Sequence, residues 1–248
     1  MESLEGRNPI LECLVRKKRR VHYIWLDQGA KTDKRIRSIL ALAEDAKIPV
    51  ERVERRRLDK KAEGRVHNGI IATVDSLQAY TTINLLEEIW ARKADPFLIL
   101  ANTIAYEHNL GAILRSALGF GVDGVVVPTR GGAGLSPVAQ RVSMGACEEV
   151  PLIQQSLTSA LKPIKKAGIR VIGADAGGRP LSEVDLTGPI ALVMGSEGQG
   201  LTGALKMRCD EVVSIPLSGN LESLNVSVAT AVLLYEKRRQ DGWFATKD

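Results

Sequence analysis

The sequence predicts an α/β protein of two units, a small α/β unit at the amino terminus and a larger unit built on a mostly parallel sheet. Strand-like and helix-like segments alternate along the chain, an order typical of parallel strands connected by helices. The strand-like segments after residue 95 include continuous apolar runs, as expected for strands buried on both faces. The expected boundaries are 1–75 for the first unit, 76–94 for a linker and 95–248 for the second unit.

The amino-terminal unit is predicted to contain two helices and three strands. Ile36, Ile39 and Leu40 recur at helical spacing, and a run of β-branched and aromatic residues precedes them. The expected helices span 10–15 and 34–46, and the expected strands span 21–26, begin at 48 and span 70–74. One further helix, at 85–92, is expected in the linker.

The second unit is predicted to continue this alternation through five strands and four helices. Ser136 and Pro137 indicate a helix start, because serine caps the first turn and proline needs no N–H donor there. The expected strands span 97–101, 124–127, 169–174, 190–194 and 212–215. The expected helices span 109–119, 137–146, 157–167 and 224–237.

The composition is that of an ordinary globular protein and excludes several classes. Of 248 residues, 44% are hydrophobic and 25% are charged, which excludes a disordered, collagen-like or disulfide-stapled chain. No apolar run approaches the ~18 residues that a membrane span requires, and no secretory signal is recognised. Because Cys13, Cys147 and Cys209 are far apart and do not cluster with histidines, no metal site is expected, and a reducing cytoplasm is the expected location.

The basic residues are concentrated in the first quarter of the chain. Residues 1–67 hold 18 Lys and Arg against 11 Asp and Glu, a balance of +7, whereas the remaining residues balance to −2. This concentration favours contact with a nucleic acid, whose phosphates release counterions to bound cations; the alternative is a solvated charged surface. An aromatic content of 4% argues against base stacking as the main source of affinity. The candidate RNA-binding residues are Arg16, Lys17, Lys18, Arg19, Arg20, Arg55, Arg56 and Arg57.

Three segments of the second unit carry polar or glycine residues where strands end and helices begin. In the first, Arg115 follows Asn109 by six residues on an otherwise apolar helix, where a buried arginine needs an anion or hydrogen-bond acceptors. The second, 194–201, has the order Gly-x-x-Gly-x-Gly, which is neither the dinucleotide fingerprint nor a P-loop. The third, 215–227, joins a strand end to a helix start. Each also has an ordinary structural interpretation, namely an ion pair, a tight turn and helix caps. No His and Asp accompany Ser223 in sequence, so a serine nucleophile is not indicated.

Together these segments resemble the three motifs of the SpoU, or TrmH-type, branch of the SPOUT RNA methyltransferases. Asn109-x-Gly111-x-x-x-Arg115 resembles the first motif, 195–201 resembles the second, and 215–217 with 222–229 resembles the third. The stretches 6–10 and 67–70 resemble the RlmB subgroup of that family, whose members methylate a guanosine ribose in large-subunit ribosomal RNA. The resemblance covers essentially the whole chain.

The resemblance implies a fold, a reaction and partners. It implies an L30e-like RNA-binding domain followed by a SPOUT α/β domain whose carboxyl-terminal part forms a trefoil knot. The methyl donor would be S-adenosylmethionine, no metal would take part, and the protein would act as a homodimer on 23S rRNA. The positions that match donor-binding positions of the family are Gly195, Ile215 and Leu224. The positions that match its catalytic site are Arg115, Asn109, Glu197, Ser223 and Asn225.

Arg115 matches the family position proposed to activate the ribose 2′-hydroxyl. A guanidinium has a pKa above ~12 and is a poor general base at neutral pH. We therefore expect Arg115 to stabilise the developing alkoxide electrostatically, with an RNA phosphate accepting the proton. Much of the remaining catalysis would be positioning of the hydroxyl against the donor methyl group.

The sequence departs from the family pattern just before the first motif. Tyr106 and Glu107 stand where many relatives carry Asp-Pro, and Asn102 stands where they carry Asp. This departure leaves open which substrate is chosen and how the Asn109 loop is held, and it therefore leaves other functions open. These alternatives are a tRNA guanosine 2′-O-methyltransferase, an antibiotic-resistance methyltransferase of the same fold, and a non-catalytic knotted RNA-binding or ribosome-assembly factor.

Overall fold

The computed structural model describes residues 1–92, 94–196, 198–219 and 221–244, and its first β-sheet lies in the amino-terminal unit. The strands of this sheet are β1 (Glu2–Glu5), β2 (Val21–Asp27), β3 (Val50–Val53) and β4 (Ile70–Val74), in the order β1-β4-β2-β3. β2 and β3 are parallel, and the other pairs are antiparallel. The helices of the unit are α1 (Arg7–Arg16), α2 (Lys34–Asp45) and α3 (Arg55–Lys61).

Local sequence explains the predicted elements of this unit, which the structure confirms with small shifts at their ends. The Asp33 carboxylate accepts a hydrogen bond of 2.9 Å from the Ile36 N–H and caps α2. Ile36, Ile39 and Ala43 lie on the buried face of that helix. They pack in the core formed by α1, α2 and the four-stranded sheet.

The sequence did not predict two elements of the first unit, β1 and α3. β1 is four residues long and mostly polar, so only its pairing with β4 reveals it as a strand. In α3 the single buried side chain is Leu58, surrounded by arginines and lysines that gave no apolar periodicity to detect.

The second sheet has six strands, all of them parallel, which confirms the predicted mostly parallel sheet. Its strands are β5 (Phe97–Ala101), β6 (Gly124–Val127), β7 (Leu152–Gln154), β8 (Arg170–Pro180), β9 (Ile190–Met194) and β10 (Glu211–Ser214). Their order is β10-β8-β9-β5-β6-β7, so β5 and β9 lie at the centre. β8 runs beyond the predicted end at 174, because its second half pairs with β10 after an irregularity in the register.

Helices cover both faces of this sheet, as the apolar strands predict. They are α4 (Thr82–Ala91), α5 (Glu107–Gly119), α6 (Pro137–Val142), α7 (Leu157–Lys166), α8 (Gly203–Lys206) and α9 (Val226–Gln240). α5 and α9 contribute to the core on one face, and α4 and α7 contribute to the core on the other. Within the described residues, no helix combines the length and the apolarity needed to cross a bilayer.

The sequence did not predict β7 and α8, which are three and four residues long. Two further segments of the second unit differ from the prediction. α6 ends at Val142 instead of 146, because Met144 and Gly145 take positive φ angles of 55° and 91° and reverse the chain before a short 3₁₀ turn. The helix α4 was expected in a connecting stretch, yet Leu85 and Ile89 on it are buried in the core of the second sheet. It is therefore a structural part of that unit.

Candidate active site and nucleic-acid interface

The candidate site lies where β5 and β9 end, at the carboxyl edge of the parallel sheet. Ala101 and Met194 are register partners, and the Asn102 N–H donates a 3.0 Å hydrogen bond to the Met194 carbonyl. The stretch that leads to Asn109 and the stretch that begins at Gly195 therefore leave the sheet side by side. Ligands of open α/β sheets bind at this edge.

The 195–201 segment, called here the glycine turn, folds back on itself. Ser196 and Gly200 exchange two backbone hydrogen bonds of 2.9 and 3.0 Å. A Cβ atom on Gly195 would lie 2.4 Å from the Gly200 carbonyl carbon, so no larger residue fits there without a shift of the backbone. Glu197, one of the predicted catalytic residues, lies outside the described residues.

Asp175, which the sequence did not single out, holds the far end of the glycine turn. Its carboxylate accepts hydrogen bonds from the Leu201 N–H at 3.0 Å and from Lys206 Nζ at 2.8 Å. Burial alone raises the pKa of Asp175, but these hydrogen bonds, with one from the Gly177 N–H, lower it below its ordinary value. The available signal was a lone carboxylate directly after the strand predicted at 169–174.

The structure joins the first and third motifs directly. Asn225 caps α9, where its Oδ1 accepts a 2.9 Å hydrogen bond from the Ser227 N–H. Its side-chain amide donates a 3.1 Å hydrogen bond to Asn109 Oδ1, across 116 positions of sequence. Asn109 lies in the first turn of α5, so the starts of α5 and α9 meet at the same edge of the sheet.

The other predicted residues of the third segment surround this junction. Ile215 follows β10 and packs, half-buried, against the core beneath α5 and α9. Leu224 is half-buried, and Ser223 is exposed and makes no hydrogen bond to a histidine within the described residues. A serine nucleophile therefore has no activating base here.

Gly111 fixes the position of α5 against α6. A Cβ atom on Gly111 would lie 2.6 Å from Val142 Cβ and 2.7 Å from the Ala139 carbonyl oxygen. The glycine of the first motif is thus required for close packing of two helices, two residues away from Asn109.

Arg115 is exposed on α5, so it is neither the buried arginine considered from the sequence nor a member of the structural ion pair that was the alternative. Within the described residues its guanidinium makes no hydrogen bond or ion pair. Six helical residues separate Arg115 from Asn109, which is about 9 Å along the axis. Its charge is therefore free to meet an external anion.

The altered stretch before α5 is an ordered loop. Ile104 is buried, and its carbonyl accepts a 2.6 Å hydrogen bond from the Ala133 N–H. The carbonyl of Tyr106 accepts a 3.0 Å hydrogen bond from the Asn109 N–H, while 68% of the Tyr106 residue surface is exposed. Glu107 lies in the first turn of α5, where a carboxylate interacts favourably with the helix dipole.

The described residues offer little support for a metal site or for a cysteine nucleophile. They contain no group of three His, Cys, Asp or Glu side chains arranged to hold a metal ion. Burial raises the pKa of Cys13 to about 12 and the pKa of Cys147 and of Cys209 to about 11. These thiols therefore stay protonated at neutral pH and are poor nucleophiles.

The basic run at 16–20 does not form one exposed surface. Arg19 is buried: its side chain is 1% exposed, and its guanidinium binds Glu148 at 2.6 Å, Gln140 at 2.7 Å and Glu2 at 3.0 Å. We call these four residues the interdomain cluster. The expectation that Arg19 contacts RNA is wrong for this arrangement, because the side chain is buried between the two units.

The neighbours of Arg19 fall into two groups, residues that pair with the second unit and residues that are exposed to solvent. Glu149 of the second unit accepts hydrogen bonds from Arg16 and Lys18, at 2.7 and 3.1 Å. Lys17 and Arg20 are exposed and make no side-chain hydrogen bond within the described residues.

The second basic group forms the exposed start of α3. Arg55, Arg56 and Arg57 are all exposed. Arg55 reaches Asp27 at 3.5 Å, and Arg57 pairs with Glu51, whereas Arg56 has no ion-pair partner in the described chain.

A parallel sheet with glycine-lined loops at its carboxyl edge, joined to a basic α/β unit, defines an α/β ligand-binding protein that also presents a polyanion-binding surface. Residues 96–235 match the SpoU rRNA Methylase family, and residues 3–80 match the description "RNA 2′-O ribose methyltransferase substrate binding". The chain belongs to the SpoU rRNA Methylase family, which confirms the resemblance that the three motifs carry.

Similar proteins match almost the full length of the chain. The 23S rRNA (guanosine-2′-O-)-methyltransferase RlmB of Pseudomonas putida is 36% identical over 242 residues, which cover 97% of each protein. RlmB of Haemophilus influenzae is 38% identical over 96% of this chain and 98% of its own. The SpoU methyltransferase AviRb from Streptomyces viridochromogenes, solved in complex with AdoMet, has a TM-score of 0.79 and 26% identity, covering 96% of this chain and 89% of its own.

Proposed function

We propose that this protein transfers a methyl group from S-adenosylmethionine to the ribose 2′-hydroxyl of a guanosine in 23S rRNA. The observation that carries the proposal is that the three motifs meet at one edge of the sheet: Asn225 is hydrogen-bonded to Asn109, and the stretch leading to Asn109 leaves the sheet beside the glycine turn. The full-length similarity to RlmB proteins supports the choice of substrate.

The residues at this edge fit the methyl donor. Gly198 of the glycine turn has open space where a Cβ atom would stand, so a ligand can approach the backbone closely there. Ile215 and Leu224 add half-buried apolar side chains suited to the face of an adenine ring. When bound there, S-adenosylmethionine supplies an electrophilic methyl group on a sulfonium.

The polar residues of the edge position the ribose and stabilise charge. Asn109 and Asn225 hold each other in place, so both side chains are preorganised at the site that we assign to the ribose. Ser223 and Glu197 complete the polar set that we assign to the ribose site. The Arg115 guanidinium stabilises the 2′-oxygen as it loses its proton to an RNA phosphate.

We assign RNA binding chiefly to the first unit. Residues 1–75 form an L30e-like substrate-binding domain, and residues 95–248, together with the helix α4, form the methyltransferase domain. The exposed side chains of Lys17, Arg20 and Arg56 have no internal ion-pair partner in the described chain and are available to phosphates. Arg16, Lys18, Arg55 and Arg57 exchange their internal partners for phosphates at modest cost, because exposed ion pairs are weak. An rRNA substrate places the protein in the cytoplasm.

The enzyme acts as a homodimer through α9 and α5. Val228, Val232 and Tyr235 recur at i, i+4 and i+7 on α9, and with Leu118 of α5 they are between 36% and 51% exposed. Such an apolar stripe favours burial by a second copy. Leu118 is three residues from Arg115, so the partner lies beside the reactive centre.

Val232→Arg is expected to give a monomer in sedimentation equilibrium, whereas Val15→Arg, at an exposed valine of α1, is expected to leave the dimer intact.

We also assign a trefoil knot to the carboxyl-terminal segment. β10 lies at the edge of the sheet, yet the helix that follows it, α9, packs against α5 beside the centre. The end of β10 at Ser214 and the start of α9 at Val226 therefore lie at different positions along the sheet. This separation supports the knot that the family resemblance implies.

Two measurements test the proposed function. Calorimetric titration with S-adenosylmethionine is expected to give a saturable single-site isotherm, and an absence of donor binding would favour a non-catalytic RNA-binding protein. Mapping of ribose methylation in the rRNA and tRNA of a deletion strain is expected to show one guanosine of 23S rRNA losing its methyl group. Loss of a tRNA methyl group instead would reassign the substrate.

A further inference from the structure

A cavity of about 630 Å³ lies between the two units, away from the glycine turn. The first unit contributes the loop between β2 and α2, the start of α1 and the turn at Asn68 and Gly69. The second unit contributes Arg141, in the last turn of α6, and Met144, two residues beyond the end of that helix. A cavity of this size accommodates a nucleotide-sized ligand.

The cavity has an excess of positive charge. Its five cations are Arg7, Lys31, Arg35, Arg55 and Arg141, and its two carboxylates are Asp27 and Asp33. Both carboxylates are occupied: Asp27 accepts from the Gly29 N–H and Arg55, and Asp33 caps α2 and pairs with Arg7 at 2.6 Å. The charge that remains attracts an anion.

The cations of the cavity differ in how firmly they are held. Arg7 donates to the Asn68 carbonyl at 3.2 Å, and Arg141 donates to the Val66 carbonyl at 2.6 Å, so both guanidinium groups are fixed in place. Lys31 and Arg35 are exposed, and their side chains make no hydrogen bond within the described residues. A phosphate is the ligand that such free cations beside fixed ones recognise best.

The uncharged part of the lining suits a sugar and a base. Pro9, Ala30 and Met144 offer apolar surface, and the Asn8 side-chain amide donates to the Met144 sulfur at 3.1 Å. Asn8 and Asn68 add amide groups that can pair with the edge of a base. The lining therefore combines phosphate, apolar and base-edge contacts in one cavity.

α6 connects this cavity to the reactive centre. Arg141 faces the cavity, while the adjacent Val142 packs against Gly111 on α5. Gly111 is two residues from Asn109. A ligand in the cavity is thus held by the same short helix that sets the position of the active-site helix.

We propose that this cavity is a subsite for one nucleotide of the RNA substrate, distinct from the site of the methylated ribose. Lys31 and Arg35 bind its phosphate, and the surface around Pro9 and Met144 packs against its base. The proposal rests on the proposed function, since it takes the ligand to be part of the RNA that is methylated.

The test compares two double variants with equal loss of charge. Lys31→Ala/Arg35→Ala removes the free cations of the cavity, and Lys162→Ala/Lys166→Ala removes two exposed cations of α7 as a control. With deproteinised 23S rRNA, the cavity variant is expected to raise KM about 10-fold or more while kcat changes little. The slope of log affinity against log salt is expected to fall by ~1.4, the value for two phosphate contacts to a single strand. An equal effect in the control, or no effect in the cavity variant, would overturn the subsite.

Photocrosslinking identifies the occupant. 23S rRNA transcribed with 4-thiouridine is expected to crosslink to peptides that contain residues 30–35 or 141–144, and crosslinks confined to other peptides would contradict the proposal. Micromolar binding of guanosine 5′-monophosphate, abolished in the cavity variant while RNA binding is unaffected, would assign the cavity to a free nucleotide and would also overturn the RNA subsite.

Titration of wild type and the cavity variant with S-adenosylmethionine separates the proposed subsite from the proposed methyltransferase function. An absence of donor binding to the wild-type protein would argue against the proposed methyltransferase function. The crosslinks report on the cavity independently of that result.

Discussion

At the scale of single residues, Arg115 shows what a free guanidinium offers to a reaction. It is exposed on α5 and has no internal partner in the described chain, so its planar set of N–H donors is available when RNA arrives. The sequence identified this residue by its place in the motif. It did not indicate the exposure, because the apolar spacing of α5 predicts which residues are buried and leaves the environment of the others open.

Replacing Arg115 with lysine is expected to slow single-turnover methylation about 100-fold at neutral pH. Lysine keeps the charge but presents one ammonium group in place of a planar fork, and loss of one oxyanion donor typically costs ~10²–10³ in rate. Rapid quench with saturating donor and rRNA measures the rate, and Arg92→Lys at the other end of the sheet is the control. Retention of most of the rate by Arg115→Lys would remove the specific role of the guanidinium.

At the scale of elements, strands and helices were predicted well where their sequence is periodic. The strands β4, β5, β6 and β9 have the predicted bounds because each is a short apolar run, interrupted by one polar residue, Thr73, in β4. The end of α6 was misplaced because a reversal at Met144 and Gly145 has no apolar signature. Asp175 was missed for a related reason, since its role depends on a loop 26 residues away that only the fold brings near.

Gly111→Ala is expected to destabilise the protein by about 1–2 kcal/mol and to weaken donor binding. The added methyl group would lie 2.6 Å from Val142 Cβ, and overpacking of this kind costs ~1–3 kcal/mol, offset in part by the better helix propensity of alanine. Denaturant unfolding and calorimetric titration measure the two effects.

Gly119 on the same helix provides the matched control for this substitution. A Cβ atom there meets no other atom within 4 Å, so Gly119→Ala is expected to leave the free energy of unfolding unchanged or slightly raised. If both alanines behaved alike, the close contact between α5 and α6 would not be what requires the glycine.

At the scale of the whole molecule, the interdomain cluster decides how the two units are arranged. Arg19 and Glu148 belong to different units, and both side chains are 1% exposed. The sequence presented Arg19 as one of five adjacent cations, and nothing in that run distinguishes it from its neighbours. Its partners, Glu148 and Gln140, are more than 120 positions away, so only the tertiary fold reveals the pair.

Glu148→Ala is expected to destabilise the arrangement of the two units by about 3 kcal/mol, because it removes the buried carboxylate partner of Arg19 and leaves that buried charge paired only with the partly exposed Glu2. Glu149→Ala, which removes partly exposed ion pairs with Arg16 and Lys18, is expected to cost about 1 kcal/mol or less. Thermal unfolding gives the stability, and small-angle X-ray scattering gives the separation of the units. Equal effects of the two substitutions would contradict a special role for the buried pair.

The double variant Arg19→Met/Glu148→Leu extends this test. Replacing a buried ion pair with apolar side chains of similar volume is often neutral or stabilising, so it is expected to recover most of the stability lost by Glu148→Ala. Failure to recover would indicate that the packing around Gln140 and Glu2, and not the loss of the buried carboxylate opposite Arg19, is what the single substitution disturbs.

A buried ionic contact between two lobes also has a geometric consequence. It keeps the phosphate subsite and the reacting sugar oxygen at a constant separation, so the protein measures a span along its polynucleotide. A strand flexible enough to bridge that span is accepted with little distortion, whereas a stiff duplex must bend or open to reach both ends. Selection of the substrate by length and flexibility then operates even where no base is read.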